Sequence, residues 1–316
     1  MSGGEHDLVI VGGGVAGLTA GLTSARAGRK TRVLTGPSLG GHLVSIERID
    51  GYPGFPDGIP GYDLCPIIQE QAVGAGAEFA ASEATALHAD DAAHARGRWR
   101  VTTGQGDVWA RALVIATGTT LKTLGVPGEE QLRGKGVSHC ASCDAPLLRG
   151  RIVGVVGGGD SALQESLTLA QHVARVIVLH RGNAFSAQAA YVQQVRENPK
   201  IEVRFGTIVE EAIGNGGLTG VRTRTVGDGK SADLELAGLF VYVGLAPATT
   251  WLNGVLALDA AGRIPVDGEM RSSLPGLFAA GTVRAGSAGR AAAAAGDGAI
   301  AAVSADQYVR DGRWRA

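Results

Sequence analysis

Cysteine is scarce in this sequence of 316 residues, which contains three. That number is too small for the disulfide framework of a small secreted protein, and we expect the chain to be cytoplasmic. Cys140 and Cys143 have only two residues between them. In an intracellular chain this spacing is typical of redox chemistry or of metal binding.

An excess of charge of either sign is also lacking. The 29 basic and 30 acidic residues leave a formal net charge of −1, which does not favour nucleic acid or an anionic membrane as a partner. The charge-free stretch 8–25 does not predict a membrane span, because it contains five glycines and follows Glu5 and Asp7 rather than a basic segment. We expect a small molecule or another protein as the partner.

Glycine, in contrast, is abundant, with 50 residues, and two of its clusters lie in near copies of one another. Residues 8–17 and 152–162 each combine a short run of β-branched residues with three consecutive glycines. The segments that follow, 18–28 and 163–173, have the length and composition of helices. Each copy therefore predicts a buried parallel strand, a tight turn and a helix.

The small residues of both clusters have the spacing of a dinucleotide-binding turn. The first allows a sharp bend, the second lets a pyrophosphate reach backbone N–H groups, and the third allows close packing of the helix. The positions are Gly12, Gly14 and Gly17 in the first copy, and Gly157, Gly159 and Ala162 in the second. The alternative is a glycine-rich turn with a purely structural role.

Three further apolar runs predict buried strands. Residues 31–34 precede Thr35 and Gly36, which stand in place of the acidic residue that usually binds the ribose. The runs 112–118 and 276–281 have a similar form, so strands of the first domain come from both ends of the chain. We predict an α/β fold with two Rossmann-like nucleotide-binding domains, the second inserted in the first. The predicted domains are residues 1–118 with 246–316, and residues 119–245.

The Cys140–Cys143 pair is followed directly by the carboxyl group of Asp144. If a short helix begins here, its N-terminus lowers the pKa of a thiol, and Asp144 can move the proton during exchange. One alternative is half of a zinc site, for which only Cys65 and scattered histidines could supply the missing ligands. The other is a pair of inert buried thiols. Apolar neighbours predict a core position for Cys65.

The motifs along nearly the whole chain resemble those of the low-molecular-weight bacterial-type thioredoxin reductases. They are GGGVAG at 12–17, GGHL at 40–43, YPGFP at 52–56, ATG at 116–118, CASCD at 140–144, GGGDSA at 157–162, HR at 180–181, GLFAAG at 276–281 and AAGDGA at 294–299. The resemblance implies FAD in the first and last segments and a pyridine nucleotide in the middle domain. It also implies a homodimer, in which one domain rotates to alternate access to the cysteines and to the nicotinamide.

The resemblance further implies roles for individual residues. Cys143 is the sulfur that faces the flavin, Cys140 attacks the disulfide of the partner, and Asp144 protonates the leaving thiolate. The residues assigned to FAD are Gly12, Gly14, Ala16, Gly17, Thr35, Gly36, Gly41, His42, Gly51, Thr117, Gly118, Gly281, Thr282, Arg290 and Ala291. Those assigned to the pyridine nucleotide are Gly157, Gly159, Asp160, Ser161, Ala162, His180 and Arg181. No residue is assigned to a metal.

The sequence departs from the family pattern where arginines bind the 2′-phosphate of NADPH. Gly182 and Ser186 replace two of those arginines, and Arg181 remains. Each lost charge-assisted contact costs about 1.5–3 kcal/mol, so NADPH is a possible cofactor with much weakened binding. No carboxylate stands there to favour NADH.

Departures also surround the predicted flavin site. Relative to the family, His42 and Ala291 stand in place of glutamines, Gly51 in place of an asparagine, and Thr282 in place of the aspartate that binds the ribityl chain. We expect backbone contacts from the glycine turn and from Thr117 to hold FAD, with a shifted redox potential.

Three functional hypotheses follow. The leading one is a thiol-disulfide oxidoreductase that passes electrons between FAD, the Cys140–Cys143 disulfide and a thioredoxin-like protein. The second oxidises a small dithiol to a disulfide, with oxygen as the acceptor; a related variant is a reductase with a donor such as ferredoxin. The third is a non-enzymatic module that senses redox state or nucleotide.

Overall fold

The computed structural model describes residues 5–90, 98–252 and 254–314. The strands are β1 (His6–Val11), β2 (Thr31–Leu34), β3 (Glu78–Ala80), β4 (Ala84–Asp90), β5 (Arg98–Thr103), β6 (Gly106–Ile115), β7 (Thr119–Leu121), β8 (Val137–Ser138), β9 (Ile152–Val156), β10 (Arg175–His180), β11 (Ile201–Phe205), β12 (Thr207–Gly214), β13 (Leu218–Thr225), β14 (Ser231–Glu235), β15 (Gly238–Val241), β16 (Leu245–Pro247) and β17 (Leu277–Ala279). The helices are α1 (Val15–Arg26), α2 (Gly61–Gly74), α3 (Ala141–Asp144), α4 (Asp160–His172), α5 (Ala189–Glu197) and α6 (Ala291–Asp311). Short 3-10 helices span Gly41–Ser45, Ala145–Leu148, Thr250–Leu252 and Gly281–Val283.

The chain divides into two compact units, the first made of residues 1–120 and 246–316 and the second of residues 121–245. The main sheet of the first unit has the strand order β3-β2-β1-β6-β5-β4, and β17 also pairs with β6. The first half of β6 pairs antiparallel with β5, and residues 113–115 pair in parallel with residues 277–279 of β17. Strands from both ends of the chain therefore share one sheet, which confirms the predicted α/β fold with an inserted unit.

The core of the first unit lies on both faces of this sheet, because side chains alternate along its strands. Leu8 and Ile10 of β1 belong to a buried cluster with Ala20 of α1 and Ala301 of α6. Val9 faces the other side and belongs to a second buried cluster. The small residues of the two helices allow close packing on β1, which fixes the N-terminus of α1 at the end of that strand.

The two predicted helices begin earlier than the sequence indicates. The first starts at Val15 rather than near Leu18, and the helix of the second copy starts at Asp160 rather than near Leu163. The glycine turn is responsible, because its last residue is already the N-cap and the small residues after it complete the first helical turn. Similarly, β6 ends at Ile115, three residues before the predicted end of that strand.

The second unit contains a parallel sheet with the order β11-β10-β9-β15-β8 and an antiparallel sheet with the order β12-β13-β14. Since the strands of the first of these sheets are parallel, their carboxyl ends lie at one edge. Gly157, His180 and Tyr242 therefore lie at that edge, at or just beyond the ends of β9, β10 and β15. Within the described ranges, the helices are too short or too polar to cross a membrane.

Candidate functional site

The N-terminus of α1 is open in the first unit. Its N-cap residue is Gly14, no side-chain hydrogen bond caps it among the described residues, and no acidic residue lies in its first turn. The first N–H groups of a helix lack partners within the helix and lie at the positive end of its dipole. This end of α1 is therefore suited to binding a phosphate group.

Close backbone contacts account for the glycines at this turn. A Cβ atom on Gly12, which has a φ of +125°, would lie 2.1 Å from the Ala116 carbonyl oxygen. A Cβ atom on Gly17 would lie 1.9 Å from the Gly12 oxygen. One on Gly14 would meet nothing closer than the Gly40 oxygen at 4.0 Å. Gly12 and Gly17 thus serve the packing of the turn, whereas Gly14 leaves room for a ligand.

Several predicted flavin-site residues border this turn. The Cβ position of Gly41 is 3.6 Å from the Cα atom of Gly14, and that of Gly281 is 2.9 Å from the Cβ atom of Ala16. The side chain of Thr35 lies against the neighbouring glycine, 2.8 Å from the Cβ position of Gly13. The structure therefore brings three separate segments of the chain to the start of α1.

The turn after β6 meets the 3-10 helix Gly281–Val283. The Oγ1 atom of Thr282 lies 3.5 Å from the Cβ position of Gly118 and 3.5 Å from Oγ1 of Thr119. The Thr117 hydroxyl instead donates a hydrogen bond of 2.8 Å to the carbonyl oxygen of Ala248. The Thr282 hydroxyl therefore lies beside the turn that follows β6, whereas the Thr117 hydroxyl binds Ala248.

Other predicted flavin-site residues have fewer neighbours. The Cβ positions of Gly36 and Gly51 have no atom within 4 Å. Arg290 is exposed at the N-cap of α6, whereas Ala291 packs with Val15 and Leu18 of α1. The Cβ position of Gly51 therefore faces open space.

Two polar groups of this region, those of Thr35 and Asp297, are engaged within the protein. The Thr35 hydroxyl donates to the Ala80 carbonyl oxygen at 3.3 Å, so it acts within the protein and is no substitute for a ribose-binding carboxylate. The carboxylate of Asp297 accepts hydrogen bonds from Arg284 at 2.7 and 2.8 Å. Burial lowers the pKa of His42, which keeps its imidazole neutral near pH 7. Since no acidic residue lies in the first turn of α1, this open turn fits the pyrophosphate of FAD.

The redox pair lies in the second unit. Cys140 and Cys143 form a disulfide, with their Cα atoms 5.3 Å apart. Cys140 is the N-cap of α3, and its N–H donates a 3.0 Å hydrogen bond to the Ser138 hydroxyl. Cys143 is exposed, and Asp144 follows it in the same turn. The arrangement places an accessible sulfur, a helix N-terminus and a carboxyl group within one turn of chain.

The free cysteine has no part in this pair. Cys65 is 1% exposed and lies in a hydrophobic cluster of the first unit, as the sequence predicts. Burial raises the pKa of its thiol to about 11. Among the described residues there is also no group of three or more histidine, cysteine, aspartate or glutamate side chains that could hold a metal ion.

The glycine turn of the second unit is bordered by the loop that follows β10. The ring of His180 lies over Gly158, with Cε1 2.4 Å from its Cβ position, and the Nε2–H group donates to the Ala184 carbonyl oxygen at 3.0 Å. The N–H of Ser186 donates to the Gly158 carbonyl oxygen at 2.9 Å. The loop after β10 is therefore folded back onto the glycine turn.

Two more contacts hold that loop closed. The Asp160 carboxylate, in the first turn of α4, accepts hydrogen bonds from the backbone N–H and the side-chain amide of Gln188, at 2.7 and 3.0 Å. The ring of Phe185 packs against those of His180 and Phe205, with centroids 5.7 and 4.9 Å away. The nucleotide-site residues of this unit thus bind one another.

A single exposed guanidinium, that of Arg181, is available in this loop for the 2′-phosphate of NADPH. Gly182 and Ser186 add no charge to it. The residues of the second unit therefore fit NADPH poorly, whereas those of the first unit fit FAD.

Sequence motifs did not identify several residues that shape these sites. Arg284 binds Asp297, which lies 13 positions further along the chain. Gln188 binds Asp160, which lies 28 positions before it. Tyr242 is buried in one cluster with Ala141 and Ala145 at the turn of α3, and Glu165 is buried on α4. None of these residues belongs to a short pattern with a chemical meaning of its own, although Asp297 lies within the AAGDGA segment.

Comparison with known proteins gives consistent matches over nearly the whole chain. The model of the pyridine nucleotide-disulphide oxidoreductase family matches residues 6–298. Thioredoxin reductase of Treponema pallidum is 36% identical over 96% of this chain and 97% of its own, and that of Listeria monocytogenes is 37% identical over 97% and 94%. The crystal structure of Lactococcus lactis thioredoxin reductase superposes with a TM-score of 0.92 at 33% identity, covering 96% of this chain and 99% of its own.

Proposed function

Because the chain belongs to the pyridine nucleotide-disulphide oxidoreductase family, with thioredoxin reductases as its close relatives, we propose that it reduces a disulfide of a thioredoxin-like protein. It is an FAD-dependent disulfide oxidoreductase. One observation carries the proposal: an exposed Cys143 disulfide-bonded to Cys140 at the start of α3, with Asp144 in the same turn.

The first unit supplies the flavin site in this proposal. When bound, FAD would accept and donate the two electrons of the reaction. The N–H groups at the start of α1 would bind its pyrophosphate, Gly14 would leave space for it, and Thr282 and the neutral His42 would border the remainder. These residues bind and orient the cofactor, and backbone groups dominate because most side chains are engaged elsewhere.

The second unit supplies the thiol chemistry. In the reduced protein, the Cys140 thiolate attacks the disulfide of the partner, Asp144 protonates the departing thiolate, and Cys143 then attacks the mixed disulfide and releases the partner. The N-terminus of α3 favours the thiolate form. One disulfide is formed in the enzyme and one is reduced in the partner, so the electrons and protons balance.

We further propose that NADPH is a weak electron donor for this protein. One exposed cation, Arg181, faces the solvent in the loop after β10, and that loop is tied to the glycine turn by Ser186 and to α4 by Gln188.

Gly182 and Ser186, which stand where the family has arginines, favour a second candidate function. A protein that receives electrons from a small dithiol and passes them to oxygen through the flavin needs no nicotinamide, and neither does a reductase supplied by a donor such as ferredoxin. Both would use the same Cys140–Cys143 pair.

We also propose that the protein is a cytoplasmic homodimer. Ile300 and Val303 are one turn apart on α6 and are 42% and 50% exposed, and Ile67 and Val73 of α2 are 41% and 53% exposed. Exposed apolar side chains such as Ile300 and Val303, three residues apart on one helix, are suited to an interface between two copies. Sedimentation at several concentrations would measure the assembly.

An anaerobic absorbance titration of the flavin-loaded protein tests the proposed function. NADPH, NADH and a dithiol are added to separate samples, and turnover with a thioredoxin is then followed for each donor. We expect the dithiol to bleach the flavin spectrum in the wild-type protein but not in Cys143→Ser. Bleaching by a nicotinamide followed by reduction of thioredoxin establishes the reductase; dithiol-driven oxygen uptake without either step establishes the oxidase.

A further inference from the structure

A serine hydroxyl lies against one sulfur of the redox pair. The Oγ atom of Ser142 is 3.6 Å from Sγ of Cys140, and both residues are half-buried at the turn formed by α3. Ser142 is the second of the two residues that separate the cysteines. The steps derived so far for the thiol pair make no use of its hydroxyl.

The direction of this hydrogen bond follows from the state of the sulfur. Cys140 is bonded to Cys143, so its sulfur carries no hydrogen and can only accept. The Ser142 hydroxyl is therefore the donor. A neutral sulfur is a weak acceptor, so this contact contributes little in the oxidised protein.

Reduction of the pair changes the strength of this contact. A thiolate carries a full negative charge, and a hydrogen bond to a charged group is about twice as strong as one between neutral groups. A donor that binds the charged form of an acid more strongly than the neutral form lowers the pKa of that acid. A hydroxyl held beside Cys140 thus favours the thiolate, which is the form that attacks a disulfide.

The backbone of Cys140 is anchored on both sides without the disulfide. Its N–H donates a 3.0 Å hydrogen bond to the hydroxyl of Ser138, the last residue of β8. Ala141, the next residue along the chain, is fully buried in a hydrophobic cluster of the second unit. Because these contacts do not depend on the bond to Cys143, we expect the Cys140 sulfur to stay beside Ser142 when the disulfide opens.

We propose that the Ser142 hydroxyl donates a hydrogen bond to the Cys140 thiolate in the reduced protein, and so maintains the attacking form of this sulfur at neutral pH. This inference rests on the proposed thiol-disulfide chemistry. The serine keeps its own proton: the proton lost by the Cys140 thiol passes to the solvent, and the serine oxygen neither attacks the partner nor changes its oxidation state.

The first test follows the alkylation of Cys140 by iodoacetamide in the flavin-loaded protein, from about pH 5 to about pH 10. Cys143→Ser is the common background, because it leaves Cys140 without its disulfide partner. Peptide mapping distinguishes Cys140 from the buried Cys65. The rate follows the thiolate fraction, so the midpoint of the pH profile measures the pKa of Cys140 and the plateau at high pH measures access to its sulfur.

Three variants are compared in this background. Ser142→Ala removes the hydroxyl, and Ser142→Thr retains it. Ser231→Ala is the matched control, because the Ser231 hydroxyl also binds a charged acceptor in the second unit, the Glu210 carboxylate, at 2.9 Å. Thermal unfolding of each variant shows whether it is folded.

A second test separates this inference from the proposed function. With Cys143 restored, the protein is reduced with excess dithiol, desalted without oxygen and mixed with a cystine-containing peptide, and the remaining thiols are counted by mass spectrometry. Wild-type protein that leaves the peptide oxidised would contradict the proposed function. The alkylation profile needs no disulfide substrate and tests the Ser142 contact by itself.

We expect Ser142→Ala to move the alkylation midpoint to higher pH, to slow both reactions roughly three- to tenfold at neutral pH, and to leave the alkylation plateau within about twofold. Ser142→Thr and Ser231→Ala should stay within about twofold of their background at every pH. An unchanged midpoint in Ser142→Ala, the same proportional loss at every pH, or an equal loss in Ser142→Thr would each overturn the proposal.

Discussion

Arg284 and Asp297 form a two-hydrogen-bond ion pair in the first unit. The Nε–Oδ2 and Nη2–Oδ1 distances are 2.7 and 2.8 Å, and the two side chains are 15% and 7% exposed. The Gly281 N–H donates to the same carboxylate at 3.1 Å. The pair therefore fixes the start of the 3-10 helix Gly281–Val283 to α6, beside the proposed flavin site.

Asp297→Asn should destabilise the first unit. The change leaves the Arg284 guanidinium buried without a counter-charge, and breaking a buried pair on one side costs about 3 kcal/mol or more. Urea unfolding measures the loss. Asp233→Asn is the control, because Asp233 pairs with Arg222 on an exposed surface and we expect no measurable change there. Similar losses in both variants would contradict the special role of the buried pair.

Native oxidised protein should resist thiol alkylation. Its one free thiol, Cys65, has a pKa raised to about 11, so only about one thousandth of it is thiolate at pH 8. After mild reduction, Cys140 and Cys143 should react quickly and Cys65 should not. The mass of the intact protein counts the adducts, and Cys65→Ser should give the same counts. A third adduct on folded wild-type protein would show that Cys65 is accessible.

Arginines at positions 182 and 186 should restore affinity for NADPH. Gly182→Arg and Ser186→Arg each add a charge-assisted contact to the 2′-phosphate, for which we expect a roughly tenfold or greater decrease in Kd. Asn183→Arg adds the same charge to the same loop and is the control. Calorimetric titration with NADPH and NADH measures the effect. An equal gain for NADH would attribute it to general attraction rather than to the 2′-phosphate.

The free energy of unfolding should decrease as the pH drops below about 6.5. Burial lowers the pKa of His6 from its usual 6.5, outweighing the hydrogen bond to Glu78, which raises it. The unfolded chain then binds a proton at a higher pH than the folded chain, so stability is complete above 6.5 and is lost as the pH falls toward the folded pKa. His6→Gln should flatten this dependence.

Urea unfolding at several pH values measures that slope. His88→Gln provides the control, since His88 is exposed on β4 and its replacement should leave the slope as in the wild type. Part of the slope should survive in His6→Gln, because burial also lowers the pKa values of His42 and His139. A wild-type stability that rises as the pH falls through this range would contradict the prediction.

The strand-turn-helix units could be predicted from the sequence because their glycines have a local cause. A Cβ atom at Gly12 or Gly157 would clash with backbone atoms, so the presence of glycine at these positions indicates the turn. The same holds for the disulfide, whose two cysteines lie within one turn of chain.

The remainder depends on contacts between distant parts of the chain. The bond from Gln188 to Asp160, the pair of Arg284 with Asp297, and the packing of Tyr242 in one cluster with Ala141 arise only after the sheets have formed. The antiparallel strands β13 and β14 carry charged residues at alternate positions, which also suit a surface loop. No pattern within a short window distinguishes these possibilities.

The pairing of β17 with β6 sets an order of assembly during synthesis. Residues 121–245 leave the ribosome as a complete unit, while the first unit still lacks β17 and α6. Domains generally fold as units as they emerge from the ribosome. The inserted unit can therefore fold before the main sheet of the first unit has gained β17. Until the last fifth of the chain has been synthesised, the nascent first unit therefore exposes the part of β6 that pairs with β17 and the apolar face of α1 that packs against α6. A chain cut short before β17 should yield a folded insert attached to an aggregation-prone remnant, which limited proteolysis of the truncated protein would reveal.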